Sequence, residues 1–256
     1  MVENREKPRQ YCSSMIIIFT DFGPSGPYVG QMRSAIAERA PKEIIVELLS
    51  NAPTFEPRAS AYLLGALARD FPDGSLFLCI IDPGVGGSRL PLIIRAGNQV
   101  FVGPDNGLFS IIIQRSSAVT AEKITWRPDN LSASFHGRDL FAPVAAMLAT
   151  GVNVETMPIA NNSLVGTDWP EDLYAVIYID HFGNAITGIR AKLIPQTRII
   201  ECSGKKFSYA KTFSSVETGA AFWYENSNGL IEIAVNQGRA DGLGLVVGQP
   251  ISVSMP

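Results

Sequence analysis

Two short apolar runs, each closed by an aspartate, constrain this chain more than any other feature. Residues 15–20, MIIIFT, are apolar at consecutive rather than alternate positions, and Asp21 follows at once. Residues 76–81, LFLCII, repeat the arrangement and end at Asp82. Such runs offer water no polar face, so they read as central strands of a sheet covered on both sides. Parallel neighbours in such a sheet need long crossovers, usually helical. Helices are expected over 28–39, stopping before Pro41, and over 57–70, where Leu63, Leu64 and Leu67 fall at helical spacing. A further strand is expected at 44–48. Strands at 92–96 and 99–102 flank a Gly97-Asn98 turn. Residues 136–150 open polar and become an apolar helix. The alternation predicts a layered α/β domain over 15–155 with a largely parallel sheet.

The pattern then changes. Residues 156–171, with Asn161, Asn162, Gly166 and Pro170, show little periodicity and read as a linker. Over 172–256, short strands are expected at 173–179, 185–189, 198–202, 229–235 and 250–253, separated by turn signals. This predicts a small β-rich domain, a barrel or a sandwich. Residues 1–14 are polar, lack the apolar stretch of a signal peptide and read as a flexible tail.

Composition narrows the function classes. A formal net charge of −3 argues against a general nucleic-acid binder. No window approaches the apolar length of a membrane span. The cysteines Cys12, Cys79 and Cys202 are far apart and odd in number, which suits no disulfide framework and points to the cytoplasm. There is no GxGxxG after the first strand, no GxxxxGK[ST] and no GxSxG elbow. With two histidines far apart, a zinc site is not expected; a carboxylate-rich Mg²⁺ site has no motif here.

The acidic residues at strand ends are more informative. Ligands of open α/β sheets bind beyond the carboxyl ends of the strands. Asp21, Asp82 and Asp105 fall there, each beside glycines that let a ligand approach the backbone. One such aspartate alone would be a turn or cap residue; three together favour a site. His136 precedes an apolar helix, and His181 sits in a turn-like stretch; either alone reads as structural. The residues by themselves support a small-molecule enzyme or binder.

Six stretches in order add more: FTDFG (19–23), DPGVGGSR (82–89), GPDNGLF (103–109), FHGRDLFAP (135–143), DHFGN (180–184) and NSNG (226–229). With them the chain resembles the S-adenosyl-L-methionine hydroxide adenosyltransferases, relatives of fluorinases and chlorinases. The resemblance implies an N-terminal α/β domain and a C-terminal β-barrel. It implies a homotrimer with active sites at subunit interfaces, no metal and no organic cofactor, and a small-molecule substrate. The implied reaction is attack of water on ribose C5′ of S-adenosyl-L-methionine, giving adenosine and L-methionine.

The resemblance also assigns residues. Asp82, Arg89 and His136 match the set that activates water, where fluorinases differ at the aspartate and histidine. Asp21 matches the ligand of the ribose hydroxyls, and Phe55 falls where an aromatic packs on the nucleoside. Asp180 matches the partner of the methionine ammonium, and Asn184 the reader of the adenine edge. Ser227 and Asn228 fall where the methionine carboxylate is held, although fluorinases carry arginine at the second position. Backbone near Val235 and Gln237 completes the adenine pocket. The rival readings are a non-catalytic adenosine or S-adenosylmethionine binder, a halogenase, and an unrelated nucleoside hydrolase or phosphorylase attacking C1′.

Overall fold

A computed structural model of the protein describes residues 15–255; the tail expected at 1–14, with Cys12, lies outside the described residues. In chain order the elements are β1 (Met15–Thr20), α1 (Tyr28–Arg39), β2 (Ile44–Leu49), α2 (Pro57–Leu67), β3 (Leu76–Ile80), β4 (Pro91–Ala96) and β5 (Gln99–Pro104). Next come α3 (Ser110–Arg115), β6 (Val119–Ile124), α4 (Ala142–Ala149) and β7 (Thr156–Ile159). The C-terminal part adds β8 (Leu173–Ile179), β9 (Ala185–Arg190), β10 (Ile199–Cys202), β11 (Lys205–Phe207), β12 (Ala221–Glu225), β13 (Leu230–Val235) and β14 (Ser252–Ser254).

The chain forms two compact units. One holds the described residues up to Ala52, Pro72–Asn106 and Ser116–Val165; the other holds Pro53–Phe71, Gly107–Arg115 and the chain from Gly166 on. By their contacts, α2 and α3 group with the C-terminal strands. Their packing shows why. α2 lies against β8, and Gly65 admits α3 so closely that a Cβ there would meet Ile111 Cγ2 at 2.7 Å. The stretch expected as a linker is also structured. It supplies β7, and its Trp169 packs on Gly107 and Gly166, with Gln114 Nε2 donating to the Trp169 carbonyl at 2.8 Å.

The first unit is built on a seven-stranded sheet of order β2-β1-β3-β5-β4-β6-β7. β2, β1, β3 and β5 are mutually parallel, whereas β4, β6 and β7 extend the sheet in antiparallel pairs. β1 and β3 are buried at almost every position, as unbroken apolar runs require. Met32 and Ile36 of α1 and Val144 and Ala145 of α4 pack over Ile16, Ile18, Leu78 and Ile80. β7, TMPI, carries Pro158 and is half exposed; proline is tolerated there because β7 is an edge strand. The helix expected over 136–150 is in two parts. Residues 137–141 make a π-helical turn in which the Ala142 N–H reaches the Gly137 carbonyl, and α4 follows. Pro143, the second residue of α4, has no N–H to close a tighter ladder there.

In the second unit, β12-β13-β9-β8 and β11-β10-β14 form two antiparallel sheets. Bridges between Ala175 and Pro250 and between Tyr209 and Trp223 join their edges into a barrel. Closure removes the free edges that a small sheet would otherwise expose. The barrel is filled by Val176, Ile189, Ile200, Phe207, Trp223, Ile231 and Ile233. Trp223, 1% exposed, donates its indole N–H to the Arg198 carbonyl at 3.0 Å.

Candidate active site

Because β1, β3 and β5 run parallel and adjacent, their carboxyl ends share one edge of the sheet, and Asp21, Asp82 and Asp105 sit at or just past that edge. Asp105 takes a structural role: its Oδ1 accepts the Val165 N–H at 3.0 Å. Asp21 directly follows β1 and is half-buried.

Asp82, Arg89 and His136 meet. Arg89 grips Asp82 with Nε 3.1 Å from both carboxylate oxygens and Nη2 2.5 Å from Oδ2. The same Nη2 lies 2.8 Å from His136 Nδ1. The pair is nearly dry, with the Asp82 side chain 5% and the Arg89 side chain 10% exposed. The Arg89 guanidinium also lies 5.3 Å from the centre of the Phe141 ring. A guanidinium only donates, so His136 Nδ1 must present a lone pair. The ring is therefore neutral, with its proton on Nε2. Burial, and then the positive charge of Arg89, hold the imidazole below its ordinary range, which favours the same form.

Two loops bring the three groups together, and a glycine lets them. Gly86 has φ +79°, and a Cβ there would lie 2.6 Å from the Ala133 carbonyl oxygen. The 82–89 loop thus rests on the backbone just before Phe135 and His136. Phe135 is held by Phe22 and Tyr28, with ring centres 5.8 Å and 5.3 Å away.

The barrel carries a second constellation. A cavity of about 760 Å³ is lined by Asp180, Asn184, Ser227, Asn228, Val235 and Gln237, all expected at the site. Asp180 accepts the Asn184 backbone N–H at 2.8 Å and its Nδ2 at 3.2 Å. Gly183 permits that turn, with φ +83° and a would-be Cβ 2.8 Å from Arg239 Nε. Asn228 is engaged elsewhere: its Nδ2 donates to Asp70 Oδ2 at 3.1 Å, and its carbonyl accepts from Arg69 at 2.5 Å. Phe55 belongs to the barrel unit, 70% exposed. Its φ of +59° is unusual for an aromatic residue and typical of strain kept at functional positions.

Sequence reasoning missed the most distinctive group in this cavity. Glu232 is 4% exposed in the middle of β13. Its Oε1 accepts Tyr224 Oη–H at 2.5 Å, and its Oε2 accepts Asn226 Nδ2 at 2.9 Å. Burial raises its pKa, and nearby Asp180 pushes the same way against these hydrogen bonds. The signal was present, since Glu232 is the one charge in the apolar strand LIEIAV. Among the described residues there is no cluster of three or more His, Cys, Asp or Glu able to hold a metal. No helix there is long and apolar enough to cross a membrane.

An α/β sheet with a carboxylate–guanidinium–imidazole cluster at its edge, joined in one chain to a β-barrel with a carboxylate-lined cavity, defines a narrow class of protein. Family models described as the SAM hydroxide adenosyltransferase N-terminal and C-terminal domains match residues 16–158 and 174–252. The chain belongs to the SAM hydroxide adenosyltransferase family. It is 37% identical to an (R)-S-adenosyl-L-methionine hydrolase of Thermus thermophilus, over 92% of this chain and 98% of that one. It is 31% identical to an enzyme of the same name from Salinispora arenicola, over 92% and 95%. A fluorinase of Nocardia brasiliensis is 23% identical over 87% and 90%. Among solved structures, an uncharacterized conserved protein from Thermotoga maritima matches with a TM-score of 0.84 at 30% identity, covering 93% of this chain and 99% of that one.

Proposed function

We propose that the protein hydrolyses S-adenosyl-L-methionine to adenosine and L-methionine. The observation that carries the reading is the dry contact of Asp82, Arg89 and His136 in a chain whose near relatives bear the name of that hydrolase. Attack forms a C5′–O bond as the C5′–S bond breaks, and the bonding pair passes to sulfur, leaving the neutral thioether of methionine. A sulfonium needs no acid to leave, so neither a metal nor an organic cofactor is required, and catalysis rests on the nucleophile and its alignment.

The geometry shapes the division of labour. Both Nη2 hydrogens of Arg89 are committed, one to Asp82 and one to His136. The donors left for a water are Arg89 Nη1–H and His136 Nε2–H, and they stabilise negative charge growing on its oxygen. The single lone pair of His136 Nδ1 is taken by Arg89, whereas the Asp82 oxygens keep lone pairs beside their Arg89 contacts, and Asp82 receives the proton as the C–O bond forms. Asp21 takes the ribose hydroxyls, and Asn184 the adenine edge. Phe55 packs on the nucleoside, Val235 and Gln237 close the adenine pocket, and Asp180 with Glu232 balances the ammonium. Ser227 holds the methionine carboxylate with the backbone at Asn228, whose side chain turns to Asp70. We infer a homotrimer with active sites at subunit contacts, which family membership supports, and the cytoplasm as its compartment.

The test is a product assay on chelator-treated protein with S-adenosylmethionine. Adenosine and methionine in equal amounts are expected, with light scattering giving the mass of a trimer. Free adenine, or no product, would overturn the hydrolase reading; a 5′-haloadenosine on adding halide would make it a halogenase.

A further inference from the structure

The loop of residues 82–89 leaves the sheet and returns to it, and the turn after β5 holds it at both ends. The β3–β5 ladder stops at Leu78 opposite Val102. Ile81 and Asp82 run past it, beyond the reach of strand pairing. Asn106 Nδ2 donates to the Ile81 carbonyl at 2.7 Å. The neighbouring Asp105 backbone N–H donates to the Leu90 carbonyl at 2.8 Å. One bond thus falls just before Asp82 and the other just after Arg89. The turn is itself tied down by the Asp105 carboxylate on the Val165 N–H. An asparagine that only shaped a turn would bond backbone a few residues away. This amide reaches back 25 residues to a neighbouring strand end.

We propose that Asn106 is a positioning residue for the water-activating pair: its amide fixes the backbone from which Asp82 projects, and so sets where Asp82 meets Arg89. The proposal rests on the hydrolase reading. Its physical basis is that a carboxylate held at 2.5–3.1 Å by a guanidinium keeps that geometry only if both backbones are fixed. A displacement of about 1 Å at a reacting group costs on the order of 100-fold in rate. The side chain must donate and must have this length, which asparagine alone meets: aspartate has the shape without the proton, and alanine has neither.

Asn106→Ala and Asn106→Asp should each lower kcat on the order of 10- to 100-fold and leave KM within about 2-fold, since neither touches the binding cavity. In an Asp82→Asn background, Asn106→Ala should cost less than about 3-fold more, because a residue acting through Asp82 has nothing left to position. An unchanged kcat in both variants, a KM rise accounting for the loss, or a full further loss in the Asp82→Asn background would overturn the proposal. If Asn106→Ala does not fold, Asn106→Asp, of the same size, is read by the same criteria. A wild-type protein that releases no adenosine would overturn the hydrolase reading instead. The positioning role would then be decided by a crystal structure of Asn106→Asp, where an unmoved Asp82–Arg89 contact refutes it.

Discussion

The sheet edge and the barrel cavity both bury a carboxylate, and they neutralise it in opposite ways. Asp82 is gripped by a full positive charge, with Arg89 on both of its oxygens. Glu232 is met by neutral donors, a phenol and an amide, with the acidic Asp180 nearby. The first arrangement is electrically closed and rigid, which suits groups that must already be aligned when a water arrives. The second is short of positive charge. Two carboxylates at one cavity repel each other, and a cationic ligand relieves that repulsion together with part of the burial cost.

That contrast breaks first at Arg89. Arg89→Ala removes two donors to Asp82 and the contact with His136, so kcat should fall on the order of 10³-fold. It also strands a carboxylate that is 5% exposed, so a thermal melt should show lower stability. A kcat within about tenfold of wild type would mean that the cluster is not where the chemistry occurs.

His136→Ala should cost on the order of 100-fold in kcat, and His136→Gln, which can still accept from Arg89, should recover part of it. The pH profile sharpens the point. The His136 imidazole is neutral, and burial with the Arg89 charge lowers its pKa against the opposing pull of Asp82 and Asp139, with Arg127 adding to Arg89. Turnover should stay level through neutrality and fall only on the acid side of the ordinary histidine value of about 6.5. The same sign holds for stability. The unfolded chain binds this proton near pH 6.5 and the folded chain resists it, so stability is lost as pH drops below that value. An acid limb above pH 7 would contradict the lowered pKa of the ring.

At the barrel the effect moves to binding. Glu232→Gln should raise KM for S-adenosylmethionine by about tenfold and change kcat little, while inhibition by neutral adenosine stays within about 2-fold. Equal weakening for both ligands would show that Glu232 serves the fold and not the charge of the substrate. The smallest expected effect is at Gly86. Gly86→Ala meets the Ala133 carbonyl at 2.6 Å and needs φ +79°, a combination worth about 1–3 kcal/mol. Denaturant melts should show that loss, with a lower kcat as the 82–89 loop shifts against His136.

Much of the fold was legible because burial writes itself into residue order. β1 and β3 could be read from unbroken apolar runs, the β4–β5 hairpin from Gly97-Asn98, and the parallel part of the sheet from the crossovers. β6, β11 and β12 carried no clear period. The split of 136–150 into a π-helical turn and α4 also left no mark, since Phe141 and Ala142 read as helical in either geometry. In the site, Asp82, Arg89 and His136 could be nominated by motif. Glu232 and Asn106 could not, because one looked like an interruption of a strand and the other like a turn.

What the sequence by itself determined is the chemistry each segment can offer: which runs must be buried, where the chain must turn, and which side chains carry charge to a strand end. Those are properties of neighbouring residues. Tertiary structure alone decided which distant groups share a hydrogen bond: that one Arg89 nitrogen serves both Asp82 and His136, that residues 105 and 106 pin both ends of a loop, and that α2 and α3 belong with the barrel. Such choices depend on distances between segments far apart in the chain, and those distances follow from packing the whole interior at once rather than from any local pattern.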